Sequence, residues 1–449
     1  MNNKYPVYYY LLLILALVLS ILFWWVILHN DVNRGVFSSD TVQSNVSVGS
    51  IKLDPEFRSL PIEPDEVIVD DESKRMIVSN LINIAVKDTS PRLESLLNDF
   101  VTAYDTSIYK FKFLDSTINY VQIQVPTPER EHFKKEVKAK LANLPLLVWD
   151  EYLFSTSSTI KNTAINWQFA AIEIPNQARH SLGNDIVIAV IDNGFDLEHP
   201  SLKHKAIKPF NSVDFSTNVG YAAVNHGTHV ASLALGAANN NTESEGVCPS
   251  CKLMPIKAED TNGYIASSYI IRGILYAIKQ QADIVNISLG LSMADLSQLP
   301  ETFQNQFIQH EGKDEEQFWS EMFTYAEKNR TICVLAAGNS NILTGFDPFQ
   351  RSPKTIKVGA IDDGNRKASF SNYGSYTTIY APGVRLMGAK PDNQEELMTG
   401  TSMAAPLVAG YLGLLKSKFP EADNQEVINL LLKNTVQFNH LNILKNQII

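Results

Sequence analysis

Three short stretches of this chain set reactive side chains where backbone geometry would help them. Asp192 follows Ile186-Val187-Ile188-Ala189-Val190-Ile191, an unbroken apolar run, and precedes Asn193-Gly194. A carboxylate at the carboxyl end of a buried strand lies where open α/β sheets gather ligands; taken alone, it is as readily an Asp that caps a turn. His226 and His229 stand three apart in Asn225-His226-Gly227-Thr228-His229-Val230-Ala231. No Glu sits between them as an H-E-x-x-H zinc site requires. A helix start is a suitable seat for an imidazole base, so His226 reads as the reactive one and His229 as structural. Ser402 lies in Thr399-Gly400-Thr401-Ser402-Met403-Ala404-Ala405-Pro406, at the entry to an apolar helix whose positive end would receive its Oγ and backbone N–H. The small neighbours let a substrate backbone approach. Alone, Ser402 could be a plain N-cap.

The elements that must position these groups are legible as alternation. From about Asn184, apolar runs at Ile186–Ile191, Leu253–Ile256, Ile284–Ile287, Thr331–Ala336 and Thr355–Val358 read as strands buried on both faces. Between them, His226–Ala237, Ala266–Gln281, Trp319–Lys328, Ser402–Lys416 and Asn424–Lys433 have helical spacing. Such alternation predicts an α/β fold with a mostly parallel sheet. The acidic, Gln-rich stretch from about Ser292 to Glu316 reads as an inserted surface loop, and the tail from Gln437 carries no signal.

Read together and in this order, the D-x-G, H-G-T-H-V-A and G-T-S-M-A-A-P stretches resemble the subtilisin-like serine peptidases. Ile284-Val-Asn-Ile-Ser-Leu-Gly290, Ala336-Ala-Gly-Asn339, Ala368-Ser-Phe-Ser371 and Ala381-Pro-Gly383 extend the likeness over about residues 160 to 435. The Asp, His, Ser chain order is the one known for subtilisin. The resemblance implies a three-layer α/β fold and a serine endopeptidase acting on polypeptides through an acyl-enzyme. In it Ser402 is the nucleophile, His226 the general base and then acid, and Asp192 the group that orients His226. Asn339 and the Ser402 backbone N–H are the oxyanion donors. Ser288-Leu289-Gly290 and Ala336-Ala337-Gly338 become two walls of the pocket for the residue before the scissile bond, which suggests an apolar preference there. Gly263 and Tyr264, with Ile265, become the edge that pairs with an extended substrate. Glu259 and Asp260 precede that edge and are either a solvated loop or a preference for basic residues upstream of the cut. The alternative to an enzyme is an inactive subtilase-like module that binds peptides.

This chemistry requires no cofactor and no metal. The likeness raises a structural calcium only as an option: Ser201 stands where many relatives carry a calcium-binding Asp, although Ala238-Asn-Asn-Asn241 resembles part of that loop. Three cysteines are too few for a disulfide scaffold or a four-ligand zinc site. Cys248 and Cys251 are left between a local disulfide and two thiols.

The remainder precedes the peptidase pattern. Val7 to Leu28 carries no charged residue, and at about 1.5 Å per residue it spans a hydrocarbon core roughly 30 Å thick. Aromatic residues flank it, and no small-residue cleavage site follows, so residues 1–30 are expected to be a single-pass anchor, with the bulk of the chain on the extracytoplasmic side. Residues 31–65 read as a flexible stalk. Residues 66–157 show a short strand at Glu66–Val69, a helical face of Leu93, Leu96, Leu97 and Phe100, a strand at Tyr120–Val125, a charged helix from Pro128 and a strand at Leu146–Trp149. The family likeness turns this small α+β unit into an inhibitor-type prodomain, an intramolecular partner cut away between about Phe154 and Lys161. The peptidase domain is then 158–449. The net charge of −10 argues against nucleic acid, which needs clustered Lys and Arg.

Overall fold

The computed structural model describes residues 61–70, 73–87, 93–156, 167–221, 225–237, 244–291 and 299–449, all within one compact unit, Asn45–Ile449. The expected anchor and nearly all of the expected stalk lie outside the described residues. Among the described residues, no helix is long and apolar enough to cross a membrane.

The apolar runs assemble into a sheet of nine described strands, ordered Thr435–Phe438, Leu441–Leu444, Ile379–Pro382, Thr355–Ile361, Ile332–Ala336, Ile284–Ile287, Val187–Asp192, Lys252–Lys257 and Phe210–Asn211. All neighbours are parallel except the first pair, an antiparallel hairpin formed by the tail. After Val187–Asp192 the chain builds outward through Lys252–Lys257, then crosses to Ile284–Ile287 on the other side. The crevice outside the carboxyl ends of these two neighbours is therefore a topological switch point, with Asp192 at the end of one strand and Ser288 immediately after the other. The helix Thr401–Lys418 is buried from Thr401 to Leu415, which its Ala, Gly and Leu content permits. It packs with His226–Leu235 into the principal core. Cys248 and Cys251 form a buried disulfide, while Cys333 is a buried thiol.

Residues 61–156 form a second, smaller sheet. Met76–Val86 lies between Leu146–Ser155 and Tyr120–Gln124, with Lys110–Asp115 beyond and Val67–Val69 also paired to it. Helices Leu93–Ala103 and Arg130–Lys140 supply Leu96, Leu97, Phe100, Phe133 and Val137 to its core. The opposite face meets the larger unit. Trp149 packs against Phe318 with ring centroids 4.4 Å apart, and Arg272 lies 4.5 Å over Phe113. Glu151 accepts Ser267 Oγ–H at 2.8 Å and Ser268 N–H at 3.1 Å. Ala266, the N-cap of helix Ser267–Lys279, offers no side-chain cap, so Glu151 supplies the acceptor that these first N–H groups need.

Two expectations are corrected. The stretch ending at Glu316 is not a loop throughout: from Glu301 to His310 and again from Lys313 it is helical, and residues 292–298 lie outside the description. The stalk does not extend to residue 65. Ile62 is buried, its N–H donates to Asp260 Oδ2 at 2.8 Å, and its carbonyl accepts Asn262 Nδ2–H at 3.1 Å.

Candidate active site

Asp192 and His226 meet without water access, each side chain 0% exposed. The imidazole Nδ1 lies 2.8 Å from Asp192 Oδ1 and 3.0 Å from Oδ2, and Asn193 N–H also donates to Oδ1. A carboxylate on Nδ1 places the ring proton there and makes Nε2 the acceptor. Nε2 is buried and has no hydrogen-bond partner among the described residues. The close approach depends on Gly227, since a Cβ there would lie 2.4 Å from Gly194 O and 3.0 Å from Asp192 Cβ. Asn193 Oδ1 accepts Gly227 N–H and ties the helix start to the strand end.

Ser402 is 4% exposed, in the first turn of Thr401–Lys418. Its hydroxyl donates to Ser288 O at 3.0 Å. Ser288 Oγ in turn donates to Ser402 O at 2.9 Å. That second bond follows from Pro406. Proline has no N–H, so the carbonyl four residues earlier, at Ser402, loses its helical partner, and Ser288 replaces it. Nothing in the sequence reading had assigned Pro406 this part, although its spacing from Ser402 was visible.

Asn339 Oδ1 accepts both Thr401 N–H and Thr401 Oγ1–H at 2.9 Å, and Thr401 Oγ1 accepts Gly338 N–H. These bonds hold the acceptor end of the amide and so set the direction of its N–H₂ end. A cavity of about 200 Å³ opens here, lined by Gly290, Ala336, Ala337, Gly338, Asn339 and Ser402 among others. Ser288 and the fully buried Leu289 stand behind Gly290 rather than in the lining. The lining also includes Asp347 and Gln350, neither of which the sequence reading singled out. They follow no motif and reach the cavity through two successive 3-10 turns, Thr344–Phe346 and Pro348–Gln350.

The strand Leu146–Ser155 runs through this crevice between two edges. Leu153 and Phe154 pair antiparallel with Ala266 and Ile265, while Phe154 and Ser155 pair antiparallel with Leu291 and Gly290. The edge that pairs with this strand is Ile265–Ala266, which overlaps the expected Gly263-Tyr264-Ile265 segment at Ile265 and leaves Gly263 and Tyr264 in the preceding turn. Asp260 closes that turn: Oδ1 accepts Asn262 N–H and Tyr264 N–H, both at 2.9 Å, and Gly263 takes φ +84° within it. Asp260 is thus bound by backbone rather than presented to a ligand. Burial is the main reason that the neighbouring Glu259 is raised to about 7.

His229 is fully buried. Its Nε2 lies 3.2 Å from Leu386 O and 3.1 Å from Glu396 O, and burial lowers its pKa to about 3, as suits a packed, neutral imidazole. Ser201 hydrogen-bonds His199 Nδ1 at 2.8 Å. A buried hydroxyl held by an imidazole does not fit the oxygen-rich shell of a hard cation, and residues 238–243 lie outside the described ones. No cluster of three His, Cys, Asp or Glu suited to a metal occurs among the described residues.

With this geometry established, comparison is informative. Residues 183–447 match the subtilase family. The thermophilic serine proteinase of Bacillus sp. (strain AK1) is 35% identical over 292 residues, covering 63% of this chain and 66% of that protein, just under two thirds of its length. Thermitase of Thermoactinomyces vulgaris is 30% identical over 264 residues, covering 59% of this chain and 85% of that one. Among solved structures, fervidolysin from Fervidobacterium pennivorans superposes with a TM-score of 0.63 over 84% of this chain and 61% of its own, at 22% identity, a likeness of fold. On the extent of the family match and the identity to these proteinases, the chain belongs to the subtilase family.

Proposed function

We propose that this protein is a serine endopeptidase that hydrolyses polypeptides through an acyl-enzyme. The observation that carries this reading is the buried Asp192–His226 pair, whose ring is bonded at Nδ1 and open at Nε2. In the reaction, Ser402 Oγ attacks the carbonyl carbon and its proton passes to His226 Nε2. The C–N bond breaks as that proton moves to the departing amine. Water then attacks the acyl-enzyme by the same proton route. Asp192 stabilises the imidazolium. The Ser402 N–H and the Asn339 amide receive the oxyanion. Ser402 Oγ–H now rests on Ser288 O, so a rotation about its χ1 precedes attack. No cofactor enters any of these steps.

Residues 66–157 act as the protein's own inhibitor. Leu153–Ser155 occupies the pairing edges that an extended substrate would use, and the cut that frees the enzyme falls between about Phe154 and Lys161. The anchor over residues 1–30 and an extracytoplasmic site complete the reading: a tethered precursor that releases its catalytic domain unless the inhibitor unit retains it.

Residues 31–449, as wild type and as Ser402→Ala, are to be weighed by intact mass spectrometry. Wild type is expected as two pieces cut between about Phe154 and Lys161, with the variant whole. If both remain whole while folded, self-processing is wrong, and a peptide-binding module becomes the working account.

A further inference from the structure

We propose that the cavity beside Ser402 is a receptor for a cationic side chain, so that the enzyme cuts after lysine or arginine; the assignment rests on the peptidase reading above. Among the described residues, Asp347 is the one ionisable residue in the lining of this cavity, and the other lining side chains are apolar, amide or hydroxyl. The role of Asp347 as a turn former uses one oxygen, since Oδ1 accepts Phe349 N–H at 2.9 Å. No hydrogen bond to a described residue engages Oδ2. Gln350, 1% exposed, donates through Nε2 to Ala336 O at 2.6 Å, and its Oε1 is buried without a partner. A buried acceptor left unbonded costs free energy that a bound donor recovers. The cavity thus offers two acceptors and one negative charge, and an ammonium or guanidinium group has donors for both. An apolar side chain would leave both acceptors unbonded, which corrects the preference suggested by the Gly, Ala and Leu walls.

The surrounding charges agree. Burial is the largest influence on Asp347 and raises it to about 7; Arg75 and Arg351 oppose this, and Glu315 adds to it. Arg351 is committed elsewhere, to Gly345 O, Glu311 O and Glu316. Arg75 is committed to Glu315 and belongs to residues 61–156. When that unit leaves, the cation with the greatest pull on Asp347 leaves with it, and two carboxylates, Asp347 and Glu315, remain near the cavity. Asp347 must be ionised to hold a cation, so binding is expected to strengthen as the pH rises through the titration of Asp347 in the freed enzyme.

The test uses peptides that differ only in the residue before the cut: Lys, Arg, norleucine, Leu or Phe. Wild type is expected to favour Lys or Arg over norleucine in kcat/KM on the order of 30-fold or more, the scale of an unpaired charge, and Asp347→Asn is expected to reduce that ratio to near unity. Preference of the wild type for norleucine or Leu, or an unchanged ratio in Asp347→Asn, overturns the assignment. A second measurement needs no turnover: fluorescence titration of the processed wild-type protein, cut by itself or, failing that, by limited proteolysis beyond Ser155 so that Leu153–Ser155 no longer fills the cleft, with 4-aminobenzamidine and with neutral 4-aminobenzamide. Binding of the amidine at least tenfold tighter than the amide supports a cation receptor; equal binding overturns it. If no peptide is cut yet the amidine binds selectively, the peptidase reading fails and the receptor stands.

Discussion

Two buried carboxylates in this molecule are used to opposite ends, one against a guanidinium and one against a neutral imidazole. Arg75 and Glu315, each side chain 1% exposed, join the N-terminal unit to the helix Lys313–Lys328 by two bonds of 2.6 and 2.9 Å. The guanidinium lies 3.2 Å over the Tyr152 ring, and Glu315 Oε1 also accepts Trp319 Nε1–H. Both carboxylate oxygens are taken, and neither residue lines the cavity beside Ser402. Asp192 and His226 are just as buried, but the ring is satisfied on one side only. Burying charge is costly, and a buried pair is weak evidence for stability. The first pair is thus understood as a clamp between two units. The second leaves an unbonded nitrogen in a dry crevice, where a proton acceptor is useful.

This contrast can be broken by substitution. In Asp192→Asn the Nδ1 proton loses its anionic acceptor and the ring can adopt the other tautomer, so kcat is expected to fall by about 10⁴ with the thermal midpoint little changed. Activity within tenfold of wild type would remove the tautomer argument. Arg75→Ala strands Glu315 as an uncompensated buried charge and is expected to cost about 3–5 kcal/mol, read by urea unfolding of Ser402→Ala chains, where no cleavage intervenes. Combining Arg75→Met with Glu315→Leu is expected to restore most of that loss or exceed it. A double variant as unstable as the single one would show that the pair is more than a clamp.

The sequence was most informative where chemistry and periodicity coincide. Ile284–Ile287 appears in the structure with the ends that the apolar run predicts, and Asn424–Lys433 likewise, because each is bounded locally by polar residues and, for the helix, by an Asp423–Glu426 capping box. The family likeness brought Asp192, His226, Ser402 and Asn339 into one proposal; the fold pairs Asp192 with His226 and sets Ser402 and Asn339 on one cavity. Less was legible where burial depends on distant partners. The helix Lys313–Lys328 begins earlier than the predicted Trp319, since Lys-Asp-Glu-Glu looks solvated until Arg75 is placed against Glu315. Met76–Val86 went unread because Ser79, Asn80 and Asn83 interrupt its apolar pattern; Asn83 is buried by bonds to Glu151 and Tyr120. Asp347 has no motif around it, and only the folding of two short turns sets it beside Ser402. That Gly263 and Tyr264 lie in a turn, and only Ile265 of the expected segment pairs, likewise comes from Asp260.

The smallest of these expected effects sharpens the catalytic side of the contrast. Asn339 holds no charge, and its Oδ1 is fixed twice by Thr401. That anchoring gives the amide no freedom to present its oxygen to an oxyanion, so the N–H₂ end must serve. A donor aimed at charge that develops only in the transition state affects kcat more than KM. Asn339→Ala is expected to lower kcat by about 10²–10³ and leave KM within a fewfold. Thr401→Val removes one of the two anchors while keeping the backbone N–H, and so is expected to produce a smaller loss of the same kind. If Asn339→Ala raises KM and spares kcat, Asn339 grips the ground state, and stabilisation of the oxyanion falls to the Ser402 N–H alone.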